Sequence, residues 1–373
     1  MVVPLAGRVI AACVGALLVI TAARSVIGTV IVPRLVGSWL TRWVDKIVAG
    51  VYHVVTARMA DHKRRDRWLA GQAAAILLTQ LLAWLALFYL GFALLMWPFA
   101  PHGLGSAFNL AAPAVFGSNN PATGAAEKTI ADLAAAAALI TVTLQIAYLP
   151  TLYSEFNRRE NEVALLNARA GVPSWGPELL ARTHYALGSG ASTIDTLPDL
   201  YKRWERWAAD LAESHTTYLP LVRFRSPKPL SSWVTALLAV LDSAALYLAL
   251  SPKSAPVVPA RLCLRSGFLC FRDIARAMGI DISDEPDPSE GISISYEQFL
   301  EAVGRLRHVD FPIERDDPAE AWPDFVGWRV NYEHAAYAIA AAVEAVPALW
   351  SGPRRRPVEP IAPIRPPQGN PPK

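Results

Sequence analysis

The residues best placed to do chemistry lie between two long apolar runs. No Asp, Glu, Lys or Arg occurs between Trp68 and Ala126, and Thr129 to Pro150 is apolar with Asp132 as its one charge. Since a charge costs roughly 3 kcal/mol at a bilayer centre, both runs indicate membrane-spanning helices. The segment between them, Pro98 to Gly124, is rich in Gly, Pro and Asn. Irregular backbone at membrane depth must be buried or line water, so this order predicts a re-entrant, pore-like loop.

The loop divides into a short helix and a candidate filter. Gly105 to Val115 predicts a helix that dips back into the membrane. Val115, Phe116, Gly117 and Ser118 come at the end of this helix, where the order of elements resembles that of an ion channel and implies the position of a filter. In ion channels of this kind, backbone carbonyls at such a position replace the hydration shell of the ion.

A stripe of small and polar residues follows on the second apolar run. With a helical period, one face carries Ala134, Ala138, Thr141, Gln145 and Tyr148. Thr141, Gln145 and Tyr148 are therefore candidates for lining an aqueous cavity. The alternative is that small and polar residues hold membrane helices together, as they commonly do.

Catalytic and metal-binding motifs are absent from the sequence. It contains no Walker loop, no GxGxxG, no GxSxG and no HExxH, and its seven histidines lack ligand spacing. The acidic loop Asp281 to Glu290 fits no register of a calcium-binding EF-hand. Cys263 and Cys270 form no CxxC pair and are expected to be buried thiols. We therefore expect no catalytic residue, metal or cofactor, no nucleic-acid partner, and no enzymatic activity.

Charge divides the chain into a membrane half and a soluble half. Of 373 residues, 53% are hydrophobic, and the charged residues concentrate after Pro150. The segment 33–67 carries eight Lys or Arg, loop 98–127 carries none, and Arg158, Arg159 and Arg169 follow the last span. The positive-inside rule thus predicts a cell (inner) membrane protein with its N-terminus outside and its C-terminal domain cytoplasmic.

The N-terminal part contains a first span and an amphipathic helix. Val9 to Val32 is long enough to span, although it could instead be a cleaved signal peptide, which would leave the basic segment outside. Val36 to Met59 has a helical apolar stripe with Trp39 and Trp43 one turn apart. It predicts a helix on the inner leaflet or, alternatively, one packed on the soluble domain.

The soluble half predicts helices only, because no alternating strand pattern competes. One of these helices opens with the capping box Ser295 to Gln298. Trp233 to Leu250 is apolar but short and contains Asp242, which favours a buried core helix over a fourth span. From Pro347 onward the chain is rich in proline, with three arginines at 354–356, and is expected to be disordered.

These elements resemble the pore unit of the potassium channel superfamily, in which an outer helix, a pore helix, a filter and an inner helix follow in order. Phe116-Gly117 stands where that family has the second half of T-x-G-[YF]-G, whereas Pro113, Val115 and Ser118 depart from it. The stretches 148–160, 163–166, 169–171, 225–227, 232–237 and 241–242 are similar to bacterial membrane proteins described as potassium-channel-family or ion-channel-like. The resemblance covers most of residues 8–345.

We thus expect an all-α membrane protein with three transmembrane helices, a re-entrant pore-like loop and a helical cytosolic C-terminal domain. Its expected parts are 1–67, 68–152, 153–346 and the tail 347–373. The resemblance implies a homo-oligomer in the bilayer, a tetramer if it forms a pore, passing monovalent cations through a degenerate filter. The rival hypothesis is a non-conducting membrane anchor for a helical sensing or protein-binding domain.

Overall fold

The computed structural model describes residues 5–32, 39–59, 61–100, 103–117, 124–184, 193–284, 286–287 and 291–365. The helices in chain order are α1 (Leu5–Val30), α2 (Trp39–Thr56), α3 (His62–Leu69), α4 (Gln72–Met96), α5 (Leu104–Phe116), α6 (Ala125–Ala170), α7 (Gly176–Arg182), α8 (Leu197–Thr217), α9 (Trp233–Leu250), α10 (Val257–Ala277), α11 (Tyr296–Arg307) and α12 (Pro318–Ala342). Two 3₁₀-helices, Ile194–Thr196 and Leu219–Arg223, flank α8. The described residues form no β-strand, so the prediction of an all-α chain is confirmed.

Four stretches of the described chain are long and apolar enough to cross a membrane. They are Ala6–Val30, His62–Met96, Ala125–Ala170 and Trp233–Leu250. The last differs from the others because every residue of α9 is buried inside the protein. In the other three, most of the apolar window is not buried by the chain itself. This contrast agrees with the expectation that α9 is a core helix.

The chain folds as two compact units. The first contains residues 1–59 and 67–154, and the second contains 60–66 and 155–373. These bounds differ from the expected parts, since the first expected part belongs almost wholly to the same unit as the pore-like region. Helix α6 is continuous from the apolar run into the charged residues that follow it, and its residues 155–170 belong to the second unit.

The first unit is held by close packing of α1, α2, α4, α5 and the start of α6. Val44 and Val48 of α2 pack on Ile76 of α4, so the buried side of α2 lies on a neighbouring apolar helix. A second cluster joins α1, α4, α5 and α6 around Trp84, whose indole N–H donates to Ser25 Oγ at 2.9 Å.

Two glycines set the approach of α1 to α4. A Cβ built on Gly15 would lie 2.5 Å from the carbonyl oxygen of Gly91, and one on Gly91 would lie 2.8 Å from a methyl of Val19. Small residues of this kind let apolar helices approach until their backbones touch, which is how helices associate where lipid removes the hydrophobic driving force.

The second unit surrounds α9, which packs against α7, α8, α10 and α12. A Cβ built on Gly176 of α7 would lie 2.6 Å from Cβ of Asp242 in α9, and one on Gly267 of α10 would lie 2.5 Å from a methyl of Leu241. Ser295 and Gln298 form the expected capping box at the start of α11. Cys263 and Cys270 are free and buried, as expected.

The tail corrects one expectation. Residues 347–365, expected to be disordered, are built into the second unit, while 366–373 lie outside the described residues. Trp350 is buried, and Arg365 lies 3.2 Å from Oε2 of the buried Glu178. Burial alone would raise the pKa of Glu178, but Arg305, Arg182 and Arg365 hold it below its ordinary value.

The physical reason is a need for hydrogen-bond donors after α12. Beyond Ala342, where α12 ends, the chain is irregular and buried at Ala345 and Val346, so its backbone carbonyls need donors from elsewhere in the protein. Arg354 donates to the carbonyls of Ala345 and Val346, at 2.6 and 2.5 Å. Sequence composition does not reveal this role, because an arginine among prolines is also typical of disordered segments.

Substituting alanine at the helix crossing tests the packing of α1 on α4. We expect Gly15→Ala and Gly91→Ala to destabilise the first unit by about 1–3 kcal/mol, because the added methyl has no room. Thermal unfolding of the full chain in detergent, followed by circular dichroism, measures the change.

The matched control is Gly50→Ala in α2, where a Cβ meets nothing within 4 Å. That variant should be neutral or up to about 1 kcal/mol more stable, since alanine is the better helix former. Equal effects at all three positions would contradict the crossing.

Candidate functional site

The filter-like residues lie at the end of α5. Val115 is buried and Phe116 is 62% exposed, and both are still helical. Gly117 ends the helix with φ of 81°, a left-handed conformation that favours glycine, and its N–H donates to the carbonyl of Pro113. Ser118 lies outside the described residues. The helix therefore extends one residue beyond the expected Val115, and the filter role of these residues stays a prediction.

The small and polar stripe of α6 faces the interior of a single chain. Ala134 and Ala138 belong to the buried cluster with α1, α4 and α5. Thr141, Gln145 and Tyr148 are also buried. An ion pathway formed by several chains would run between those chains, so the side chains that line it should be exposed in a single chain. Burial thus favours the helix-packing alternative, and the cavity role stays a prediction.

The outward surfaces of the first unit are apolar. Side chains that are at least two-fifths exposed include Ile10, Leu17 and Ile20 of α1, Leu78, Leu82 and Leu90 of α4, and Leu133, Leu139, Ile140 and Ile146 of α6. Exposed apolar area on this scale is typical of a surface that contacts lipid or another protein. Trp39 and Trp43 continue it on α2, where they are 56% and 59% exposed.

A pocket of about 380 Å³ lies in the second unit beside α12. Its described lining joins one face of α12 to the chain before α11: Ile282, Ser283, Pro286, Asp287, Gly291, Ile292, Ser293, Val330, Asn331, Glu333, His334, Ala335 and Tyr337. The volume lies within the range of small-molecule sites, which combine apolar walls with a few convergent polar groups.

Glu333 is the fixed carboxylate of this pocket. One oxygen accepts the backbone N–H of Ser293, and the other accepts Nε–H of Arg329 at 2.6 Å. Asn331 uses its amide nitrogen on the carbonyls of Gly327 and Trp328 within α12. The amide oxygen of Asn331 is therefore the side that a ligand can approach as a donor.

Arg329 connects the pocket to the core. Its guanidinium is fully buried and ion-paired with Asp242 of α9, and it also donates to the hydroxyl of Tyr337 and the carbonyl of Trp350. Tyr332 donates to the same oxygen of Asp242. Each of the three guanidinium nitrogens thus has an acceptor, as a buried charge requires.

The pKa values follow from this arrangement. Burial alone would lower the pKa of Arg329, but the carboxylates of Asp242 and Glu333 hold it well above its ordinary value. Burial raises the pKa of Tyr337 to about 12. Both groups keep their protons throughout the physiological range, whereas burial raises the pKa of Asp242 to about 6 despite its contacts with Arg329 and Tyr332.

Metal and catalytic constellations are not seen in the described part of the chain. No three His, Cys, Asp or Glu side chains there converge on a possible ion. Glu333 and His215 each contact a buried arginine: Glu333 accepts from Arg329, and Nε2 of His215 lies 3.0 Å from Nη1 of Arg159. Among its described residues, the acidic loop lines the pocket through Ile282, Ser283, Pro286 and Asp287.

The comparisons with known proteins return no match. No protein-family model matches the chain, and no curated protein or solved structure is significantly similar to it.

Neither the pocket nor the buried Arg329 behind it was predicted from the sequence. Arg329 sits in an apolar stretch of α12, and Asp242 interrupts the apolar α9. Asp242 is the only charge of α9, and Arg329 is the only Lys or Arg of α12, which also carries three acidic residues. A carboxylate inside an apolar helix is a signal that it pairs with a cation elsewhere in the chain. The separation of 87 residues between Asp242 and Arg329 hides the pairing from any local pattern.

Removing the charge of Asp242 tests the network. Asp242→Asn leaves Arg329 buried without its full counter-charge, and breaking a buried pair costs about 3–5 kcal/mol. We expect a loss of that size in denaturant unfolding of the full chain, followed by tryptophan fluorescence.

Asp199→Asn is the matched control, because Asp199 pairs with Lys202 where both side chains are largely exposed. An exposed pair contributes about 1 kcal/mol at most. The interpretation fails if the two variants unfold at the same denaturant concentration.

Proposed function

We propose that this protein is an integral membrane protein whose first unit anchors a helical, ligand-binding domain at the inner face of the cell membrane. The observation that carries the proposal is the contrast between the units. The first exposes apolar helices and closes its polar stripe inside one chain. The second has a pocket of about 380 Å³ on a fully packed core.

Three helices serve as spans in this proposal. They are α1, α4 and the apolar part of α6, while α9 stays in the core of the second unit. The N-terminus lies outside and the second unit is cytoplasmic, because the basic residues cluster in 33–67 and after Pro150. On α2, the exposed Trp39 and Trp43 lie at the inner interface, where tryptophan is enriched.

The pocket takes a small molecule with hydrogen-bond donors. Its acceptors are the amide oxygen of Asn331 and the carboxylates of Glu333 and Asp287, and its apolar walls come from Ile282, Ile292 and Val330. Because Arg329 holds Glu333 in place, the acceptor is positioned before the ligand arrives.

Ligand-dependent stability tests the binding role. The full chain in detergent is heated with a library of small amines, amino acids and nucleosides. A true ligand at 100 times its Kd stabilises the folded state by about 2.7 kcal/mol, which raises the melting temperature by several degrees.

Ser293→Trp fills the pocket but keeps the backbone N–H that Glu333 needs, so it should abolish the shift. His308→Trp, at an exposed position outside the lining, is the control and should retain it. The binding role is wrong if no compound shifts the wild type, or if both variants respond alike.

The second candidate function is cation passage through an oligomer, which the resemblance to potassium channels implies. The order α4, α5 and α6 supports it, together with the left-handed Gly117 at the end of α5. Four copies would be needed to surround one pathway. This candidate ranks second because the stripe on α6 is closed within each chain.

Ion flux separates the two functions. In liposomes with oriented protein, the anchor predicts no K⁺ or Na⁺ flux above that of empty liposomes. The channel hypothesis predicts ion flux, and it predicts that Gly117→Asp abolishes this flux or changes its selectivity between K⁺ and Na⁺. Gly103→Asp is the matched control, since Gly103 also has a positive φ, of 84°, at the opposite end of α5. Flux that only Gly117→Asp changes would overturn the ranking.

A further inference from the structure

A buried arginine and a buried histidine are in direct contact in the second unit. Nη1 of Arg159, on α6, lies 3.0 Å from Nε2 of His215, on α8. The same guanidinium donates to the carbonyls of Leu221 and Phe224, both at 2.8 Å. Arg159 thus joins the charged end of α6 to the 3₁₀-helix Leu219–Arg223 and the residue that follows it.

The hydrogen bonds determine the protonation of His215. A guanidinium has donors only, so Nε2 must accept and carries no proton. The hydroxyl of Ser214 donates to the carbonyl of Asp210 at 2.8 Å, which leaves its oxygen to accept Nδ1–H at 3.0 Å. The contact with Arg159 therefore exists only while the imidazole is neutral.

The charged groups around Arg159 and His215 do not neutralise the additional positive charge that protonation of His215 would bring. On α6, Glu160 pairs with Arg159 at 2.7 Å. From α9, the indole of Trp233 lies against the imidazole with ring centres 5.4 Å apart. Burial, followed by the charge of Arg159, holds the pKa of His215 well below its ordinary value, which agrees with the geometry.

We propose that Arg159 and His215 form a proton-sensitive latch, which holds α6 to the 3₁₀-helix at neutral pH and releases it on acidification. Protonation adds a hydrogen to Nε2 of His215, and this N–H then points at a guanidinium that cannot accept it. The contact then opens, and the carbonyls of Leu221 and Phe224 lose their donor. The proposal depends neither on the pocket beside α12 nor on ion passage.

The direction of the pH effect follows from the difference in proton binding between the closed and open latch. In the open latch His215 has an ordinary pKa near 6.5, whereas in the closed latch it stays neutral. The open form therefore binds more protons below pH 6.5, and the closed form loses stability as the pH falls. From pH 7.5 to 5.5 the opening equilibrium should rise about tenfold.

Hydrogen exchange on the full chain in nanodiscs measures this opening. Exchange of residues 219–226, corrected for the intrinsic rate, should rise about tenfold between those pH values, whereas the amides of α9 should not respond. His215→Gln keeps an acceptor toward Arg159 and cannot titrate, so its exchange should be independent of pH. His308→Gln, at an exposed histidine, should behave as the wild type.

Three results would overturn the latch. One is an unchanged exchange of 219–226 in the wild type. Another is a pH response that persists in His215→Gln. The third, which applies even if that variant does not fold, is a response of α9 in the wild type at the same pH, since that indicates global unfolding.

Discussion

The second unit depends on one buried positive charge. Arg329 is enclosed by the protein, and its acceptors come from separate parts of the chain: Asp242 of α9, Glu333 and Tyr337 of α12, and the carbonyl of Trp350 in the tail. Because an unpaired guanidinium in a core is costly, these parts are stable only when they meet. The charge also explains why α9, with a carboxylate at its middle, folds inside protein rather than lipid.

Arginine also completes helix ends elsewhere in this unit. At the end of α12, the carbonyl of Ala342 accepts from Arg223, and the carbonyls just after the helix accept from Arg225 and Arg354. Arg65 pairs with the buried Glu344 at 2.7 Å, which places residues 60–66 in the second unit. The planar, weakly hydrated guanidinium suits these buried sites better than an ammonium does. The cationic side chains also oppose the negative end of the helix dipole.

The first unit is held together by close packing of small and apolar side chains rather than by buried charges. Its helices meet through Gly15 and Gly91 and bury a stripe of small and polar residues on α6, while large apolar side chains face outward. This is the distribution expected where the surroundings are as apolar as the interior. In our proposal, the first unit therefore serves as the anchor and the second unit, with its pocket, as the binding domain. That division is why we rank a membrane-anchored binding domain above a channel.

The helical class, the positions of most helices, the capping box at Ser295 and the burial of Cys263 and Cys270 could all be predicted from the order of the residues. Each is a local or compositional property, since periodicity and caps are read within a few residues. The folded chain was needed to show that the stripe with Gln145 is buried within one chain, that residues 347–365 pack on the second unit, and that Arg329 meets Asp242. A helical period defines a face but not what covers it, and a buried charge finds its partner at any sequence distance.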